Sequence, residues 1–342
     1  MRGVTIGRPA ITGNGELPRA RGPLSEEVLR ILGGGGTSLH RPAPPTDPLG
    51  DDDLQLALYL AYELHYRGLP GIDEDREWDP RILGVRRDLE SAFTSGLRRA
   101  IEPQEVGPGQ VAEALLALTE PTGGDSLASF VEREATRQQA REFLIHRSAY
   151  QLKEADPHSW VIPRLEGAAK TSVMEIQYDE YGSGDASWMH AELFRTTMLA
   201  AGLDGSYGAY VDLLPGVTLA TVNLITLFGL HRRWRGALIG HLAAFEMTSS
   251  LPNRAYGNGF RRLGFGPEAT RFFDEHVEAD SVHEVLASDL AVLVAGQEPA
   301  LAPDIVFGAA ALALLEARFA TALLRAWRSG TTMLLGGGSA SS

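Results

Sequence analysis

The chain has no cysteine among its 342 residues. That absence excludes disulfides, cysteine-ligated iron–sulfur clusters, thiolate-bound haem and cysteine nucleophiles. Any redox chemistry must therefore use a bound metal or an organic cofactor. Lysine is nearly absent as well. Only Lys153 and Lys170 occur, and the basic character rests on arginine. The net charge of −13 argues against a general nucleic-acid binder, which needs a basic surface. The N-terminus lacks the apolar core of a secretory signal. The longest apolar stretch, Ile305 to Leu324, is interrupted by Gly308, Glu316 and Arg318, so it reads as a buried helix and not as a membrane span. A soluble cytoplasmic protein without membrane association is the expectation. The stretch Asn253 to Gly259 contains glycine but lacks the Lys-Ser/Thr ending of a phosphate loop, so nucleotide binding is not supported.

Alternating strand patterns and internal repeats are also missing, and helical periodicity fills the space they leave. Helices are predicted over 51–67, 79–101, 108–118, 125–155, 163–180, 186–202, 206–213, 217–229, 231–250, 253–264, 267–295 and 305–329. Residues 1–50 are rich in Gly, Pro and Arg, with a glycine run from Gly33 to Gly36 and Pro42, Pro44 and Pro45 close behind. They read as a flexible or irregular extension holding at most a short helix near Ser25 to Leu32, dispensable for folding. Residues 331–342 read as a disordered tail. Between them, 51–330 reads as one all-α domain.

The most informative segment is His276-Val-Glu-Ala-Asp280-Ser-Val-His283. Its metal-capable side chains fall at i, i+4 and i+7, on one helical face. Pro267 suits the first turn of that helix, and neither Gly nor Pro interrupts it before Gly296. Two imidazoles and a carboxylate suit first-row metals such as iron and manganese. The bland reading is a solvated face with two ordinary histidines; three ligands on one stripe beside Phe272, Phe273, Val277 and Val282 favour the metal. One helix seldom supplies a whole site, so partners must come from facing helices.

Glu175, Asp179 and Glu180 precede Gly182 and Gly184, which can bend the chain so that Glu180 and His190 converge. Alone, Asp179 and Glu180 read equally as an acidic helix end. Glu142, His146, Glu154 and His158 form a further set, from which Glu142 or Glu154 could supply a carboxylate. Glu63 and His65 face different sides of their helix. His241 and Glu246 lie five apart, an imperfect spacing. Glu246 could orient a ligand imidazole or be a structural residue paired with Arg232 or Arg233.

Taken together, Asp179-Glu180-Tyr181-Gly182 with His190, His231-Arg232-Arg233, and His276-x3-Asp280-x2-His283 resemble the iron-containing redox enzyme family, within the haem-oxygenase-like di-iron oxidases and oxygenases. The resemblance spans roughly 140–330, and its most specific part is the last motif. It implies a haem-oxygenase-like helical bundle with two non-haem iron ions and dioxygen as co-substrate. It also implies a site of three histidines and three carboxylates: Glu154, Glu180, His190, His276, Asp280 and His283. Glu142 stands as the alternative to Glu154, and Glu175 to Glu180. A small-molecule substrate is implied, and an external electron donor and a homodimer are compatible with the resemblance. The competing expectations are a metal-free bundle of the same fold that binds a small molecule, and a helical interaction protein.

Overall fold

The computed structural model describes residues 16–36, 43–119 and 126–336, with only the backbone described for 280–282. Its described residues form helices and no strand. The helices run α1 (Pro23–Leu32), α2 (Asp52–Glu63), α3 (Pro80–Ala100), α4 (Val111–Thr119), α5 (Leu127–Arg133) and α6 (Arg137–Gln151). They continue with α7 (Asp156–Ser159), α8 (Gly167–Glu180), α9 (His190–Ala200), α10 (Gly216–Leu230), α11 (Arg235–Arg262), α12 (Pro267–Gln297) and α13 (Ala302–Arg328).

Local chemistry sets the helix starts. The Asp51 carboxylate accepts the Leu54 N–H at 2.7 Å to begin α2, and Asp79 caps α3 ahead of Pro80. A reciprocal cap between Thr136 and Gln139 opens α6. That cap splits the predicted 125–155 helix into α5 and α6. Conversely, the two helices predicted over 231–250 and 253–264 are one. α11 continues through Pro252, which forfeits a backbone bond between two largely buried stretches, 236–246 and 257–260. The helix predicted over 206–213 is a series of turns, because Gly208 takes φ 74° and only Val211–Leu213 forms a 3-10 turn.

α11 is the central element, lying against α5, α12 and α13, while α12 also packs on α8 and α9. The α11–α13 crossing is close because both helices offer glycine. A Cβ on Gly240 would sit 1.7 Å from the Ile305 carbonyl oxygen, and one on Gly308 would sit 2.0 Å from that of Ala237. α13 is long and apolar enough to cross a membrane by length and composition. It is instead a core helix, with Ile305, Leu315, Phe319 and Leu323 buried, Glu316 held by Arg147 and Arg318 by Asp47.

The N-terminal segment is more structured than the flexible or irregular extension expected of it. Residues 1–15 and 37–42 lie outside the described residues. α1, however, buries Val28 and Ile31 completely, each worth about 1.5–3 kcal/mol. The Asp53 carboxylate accepts the N–H groups of Leu24 and Ser25 at 2.8 and 2.7 Å. This packing favours the opposite outcome to dispensability, and truncation at Asp51 is the measurement that decides between them. At the other end, Met333 donates its N–H to Glu142 at 2.8 Å and Leu335 donates to the Leu213 carbonyl at 2.9 Å. Residues 337–342 of the expected disordered tail lie outside the described residues.

Candidate metal centre

Five segments deliver polar side chains to one buried region beside α12. Glu154 comes from the turn after α6, Glu180 from the last residue of α8, His190 from the first of α9, Glu246 from α11, and His276 and His283 from α12. All six are between 1 and 7 % exposed. They form two groups, Glu154 with His190 and His276, and Glu180 with Glu246 and His283. Within each group the ligand-type atoms lie within 4.8 Å of one another.

The seven-residue spacing of His276 and His283 explains the division. Seven residues advance a helix by about 10 Å, so the two imidazoles of one stripe serve neighbouring groups. The turn after α8 performs the other essential placement. Gly182 and Gly184 have φ of 73° and 92°, and Ser183 is the one non-glycine residue at positive φ (52°) among those described. A Cβ on Gly182 would meet the Met189 nitrogen at 2.6 Å, so only glycine lets the chain fold back this tightly. His190 Nδ1 thereby lies 3.0 Å from Glu180 Oε2, joining the two groups. Within the groups, His276 Nε2 is 3.6 Å from Glu154 Oε2, and His283 Nδ1 is 3.6 Å from Glu246 Oε2.

The far sides of two rings are anchored. His276 donates from Nδ1 to the Phe272 carbonyl at 2.8 Å, turning Nε2 toward Glu154. His283 Nε2 lies 3.2 Å from Asp179 Oδ2. Such outer partners fix the ring orientation of metal-binding histidines. On the inner side, both Glu154 oxygens are buried and make no hydrogen bond, while Glu180 Oε2, His190 Nδ1 and His283 Nδ1 are buried with one another or Glu246 as polar neighbours. Buried polar atoms ordinarily find partners, because leaving them bare is costly. A pair of cations would satisfy all of these atoms, and the imidazole and carboxylate donors are those that iron accepts. The residues therefore fit the group that the sequence implies.

Electrostatics agree. Burial works to raise the Glu180 carboxyl, but His190, His276 and His283 outweigh it and hold Glu180 well below the usual carboxylate range. Burial opposes charge on His283, yet Glu246, Glu180 and Asp179 lift it to about 9. Without metal, this region already retains positive charge.

The alternatives left open by the sequence separate cleanly. Glu142 is engaged by Met333 and lies 3.6 Å from His146 Nε2, apart from both groups. Glu175 is exposed on α8. Asp280 lies on α12 between the two histidines, and its side chain is outside the described residues. Glu63 and Lys153 form a separate buried ion pair, with the Tyr207 hydroxyl donating to Glu63 at 2.8 Å. His65 pairs with Glu77, and His231 with Glu90. Glu246 faces His283 and pairs with neither Arg232 nor Arg233. Sequence reasoning under-weighted it because its partner lies 37 positions away, at no local spacing. Asp179, seen as a helix-end residue, proves to be the outer partner of His283.

Two cavities adjoin the site. One, of about 490 Å³, includes His190 in its wall with Asp179, Asp185, Trp188, Glu275 and Glu278. The other, of about 260 Å³, lies beyond Phe194 and Phe272.

Comparison with known families gives a match over residues 141–317, to a family described as iron-containing redox enzyme. The matched span contains all six clustered residues. Comparison with curated proteins gives no match.

Proposed function

Because the chain belongs to the iron-containing redox enzyme family, we propose that it is a non-haem di-iron oxidase or oxygenase that uses dioxygen to oxidise a small organic substrate. Membership makes it a haem-oxygenase-like oxidoreductase; the nuclearity and the co-substrate are the proposal. The observation that carries it is the doubled set of buried donors, each pairing imidazole with carboxylate and together containing atoms that no hydrogen bond satisfies.

In this reading Glu154, His190 and His276 hold one ion, and Glu180, Glu246 and His283 the other. Asp280, midway along the same stripe of α12, completes the set of ligands. Iron bound there supplies electrons for dioxygen reduction. The protein's own groups do the rest. The four carboxylates offset the charge of the metals in a buried site. The Phe272 carbonyl and Asp179 keep His276 and His283 in the tautomers that present a lone pair inward. Phe194 and Phe272, whose rings meet edge to face at 5.0 Å, shield the His276 side from solvent. An external electron donor restores the reduced state. N-oxygenation, desaturation and oxidative C–C cleavage all fall within this chemistry.

Anaerobic titration with ferrous iron, followed by oxidation and Mössbauer spectroscopy, tests the proposal. Saturation at two ions per chain with magnetic coupling after oxidation is expected. Saturation at one ion without coupling would make the centre mononuclear, and no binding would make the bundle metal-free.

A further inference from the structure

The candidate ligands differ in what holds them from behind. His276 is turned by the Phe272 carbonyl and His283 by Asp179. Glu154 has no such partner, since neither of its oxygens makes a hydrogen bond. It also stands outside any helix, in the turn between α6 and α7. The direction of its carboxylate therefore depends on the course of the backbone around it.

That backbone is fastened to the end of α8, the helix that carries Glu180. Gln177 lies nearly one turn before Glu180. Its Nε2 donates to the Ala155 carbonyl at 2.8 Å and to the Ser159 hydroxyl at 2.7 Å. Tyr181 follows Glu180 directly. It donates to Asp156 Oδ1 at 2.8 Å, and its hydroxyl lies 3.2 Å from that of Ser159. With the Tyr181 proton directed at Asp156, Ser159 is the donor between the two hydroxyls. These bonds join residues 155–159 to residues 177–181. One segment adjoins Glu154 and the other contains Glu180, and those two carboxylates belong to different donor groups.

We propose that Gln177 and Tyr181 are positioning residues of the metal centre. Through Ala155, Asp156 and Ser159 they clamp the Glu154 backbone to α8, and so fix how the Glu154 group faces the Glu180 group. The inference rests on the di-iron reading, because it assigns the clamp to the placement of two ions. The Lys153–Glu63 pair anchors the same turn independently, so cutting the clamp should loosen Glu154 without unfolding the bundle.

The test is anaerobic titration with ferrous iron followed by Mössbauer spectroscopy, on the wild type and three variants. Tyr181→Phe keeps the ring and removes both hydroxyl bonds. Affinity for one of the two ions should fall about tenfold, with that ion's quadrupole doublet altered and the other's unchanged. Gln177→Met cuts the remaining two bonds and should act on the same ion, which supplies an independent check if Tyr181→Phe misfolds. Asp156→Asn keeps an acceptor for the Tyr181 hydroxyl and should retain both affinities and both doublets. Two ions bound with wild-type affinities and doublets in Tyr181→Phe and Gln177→Met would overturn this proposal alone, even if the metal-free variants unfold at lower temperature, since that is the mark of a purely structural role. Asp156→Asn as damaging as Tyr181→Phe would also overturn it. Saturation of the wild type at one ion, or at none, defeats the di-iron reading and this inference with it.

Discussion

Two sets of buried histidines lie within one bundle and behave in opposite ways. His190, His276 and His283 stand among Glu154, Glu180 and Glu246. His158 of α7 and His241 of α11 face each other, Nε2 to Nδ1 at 3.4 Å. Burial pushes His158 down to about 4, against a weaker upward pull from Glu180. Burial and then His158 hold His241 well below the ordinary histidine value. His283, just as buried, is lifted to about 9 by its carboxylates. Burial by itself makes an imidazole a neutral packing group. Surrounding carboxylates turn the same residue into part of a site that retains positive charge, as protons or as metal.

The comparison breaks most decisively at the ligands. His276→Ala or Glu154→Gln should remove at least half of the bound iron, measured by elemental analysis, with the helical circular dichroism signal retained. His241→Leu should leave the iron content unchanged. Equal loss in all three variants would erase the distinction between the two sets.

Adjacent to Glu154, Lys153 points into a different environment, paired with Glu63 and 3.9 Å from the Tyr66 ring centroid. Lys153→Met leaves the buried Glu63 without its cation, held by the Tyr207 hydroxyl. The expected cost is about 3–5 kcal/mol in urea unfolding, without direct removal of a ligand. A cost under about 1 kcal/mol would show that Glu63 finds another partner.

Protons sharpen the contrast next. The folded value of His158, about 4, lies below that of the unfolded chain, about 6.5. The unfolded state therefore binds the extra proton between these values. Stability should fall as pH drops from about 6.5 to about 4 and then level off for this group, by at most roughly 3 kcal/mol. His241 adds in the same direction. Unfolding measured across this window should show a shallower slope in His158→Leu than in the wild type; parallel slopes would mean that His158 does not titrate this way.

The smallest effect belongs to Glu175. It is exposed, so Glu175→Gln should leave iron uptake unchanged and alter stability by less than about 0.5 kcal/mol. Loss of iron would place it nearer the centre than the bundle does.

Much of this architecture is written in local pattern. Helical periodicity, Pro267 at a helix start, and the stripe of His276, Asp280 and His283 are all readable because they depend on residues within a few turns. The bend at Gly182 and Gly184 is readable for the same reason. The errors arise where tertiary contact overrides a local signal. Pro252 fails to end α11 because neighbouring helices hold that helix, and the glycine-rich N-terminal segment still lays α1 into the core.

The sequence alone determined that the protein is helical, that its redox chemistry cannot use cysteine, and that one helix carries a stripe of candidate metal ligands. Only the tertiary structure decided that this stripe faces two groups of donors, that Glu154 joins them where Glu142 does not, and that Glu246 belongs among them. Each of those choices depends on which helices pack side by side. Contacts of that kind join residues tens of positions apart, and no spacing along the chain encodes them.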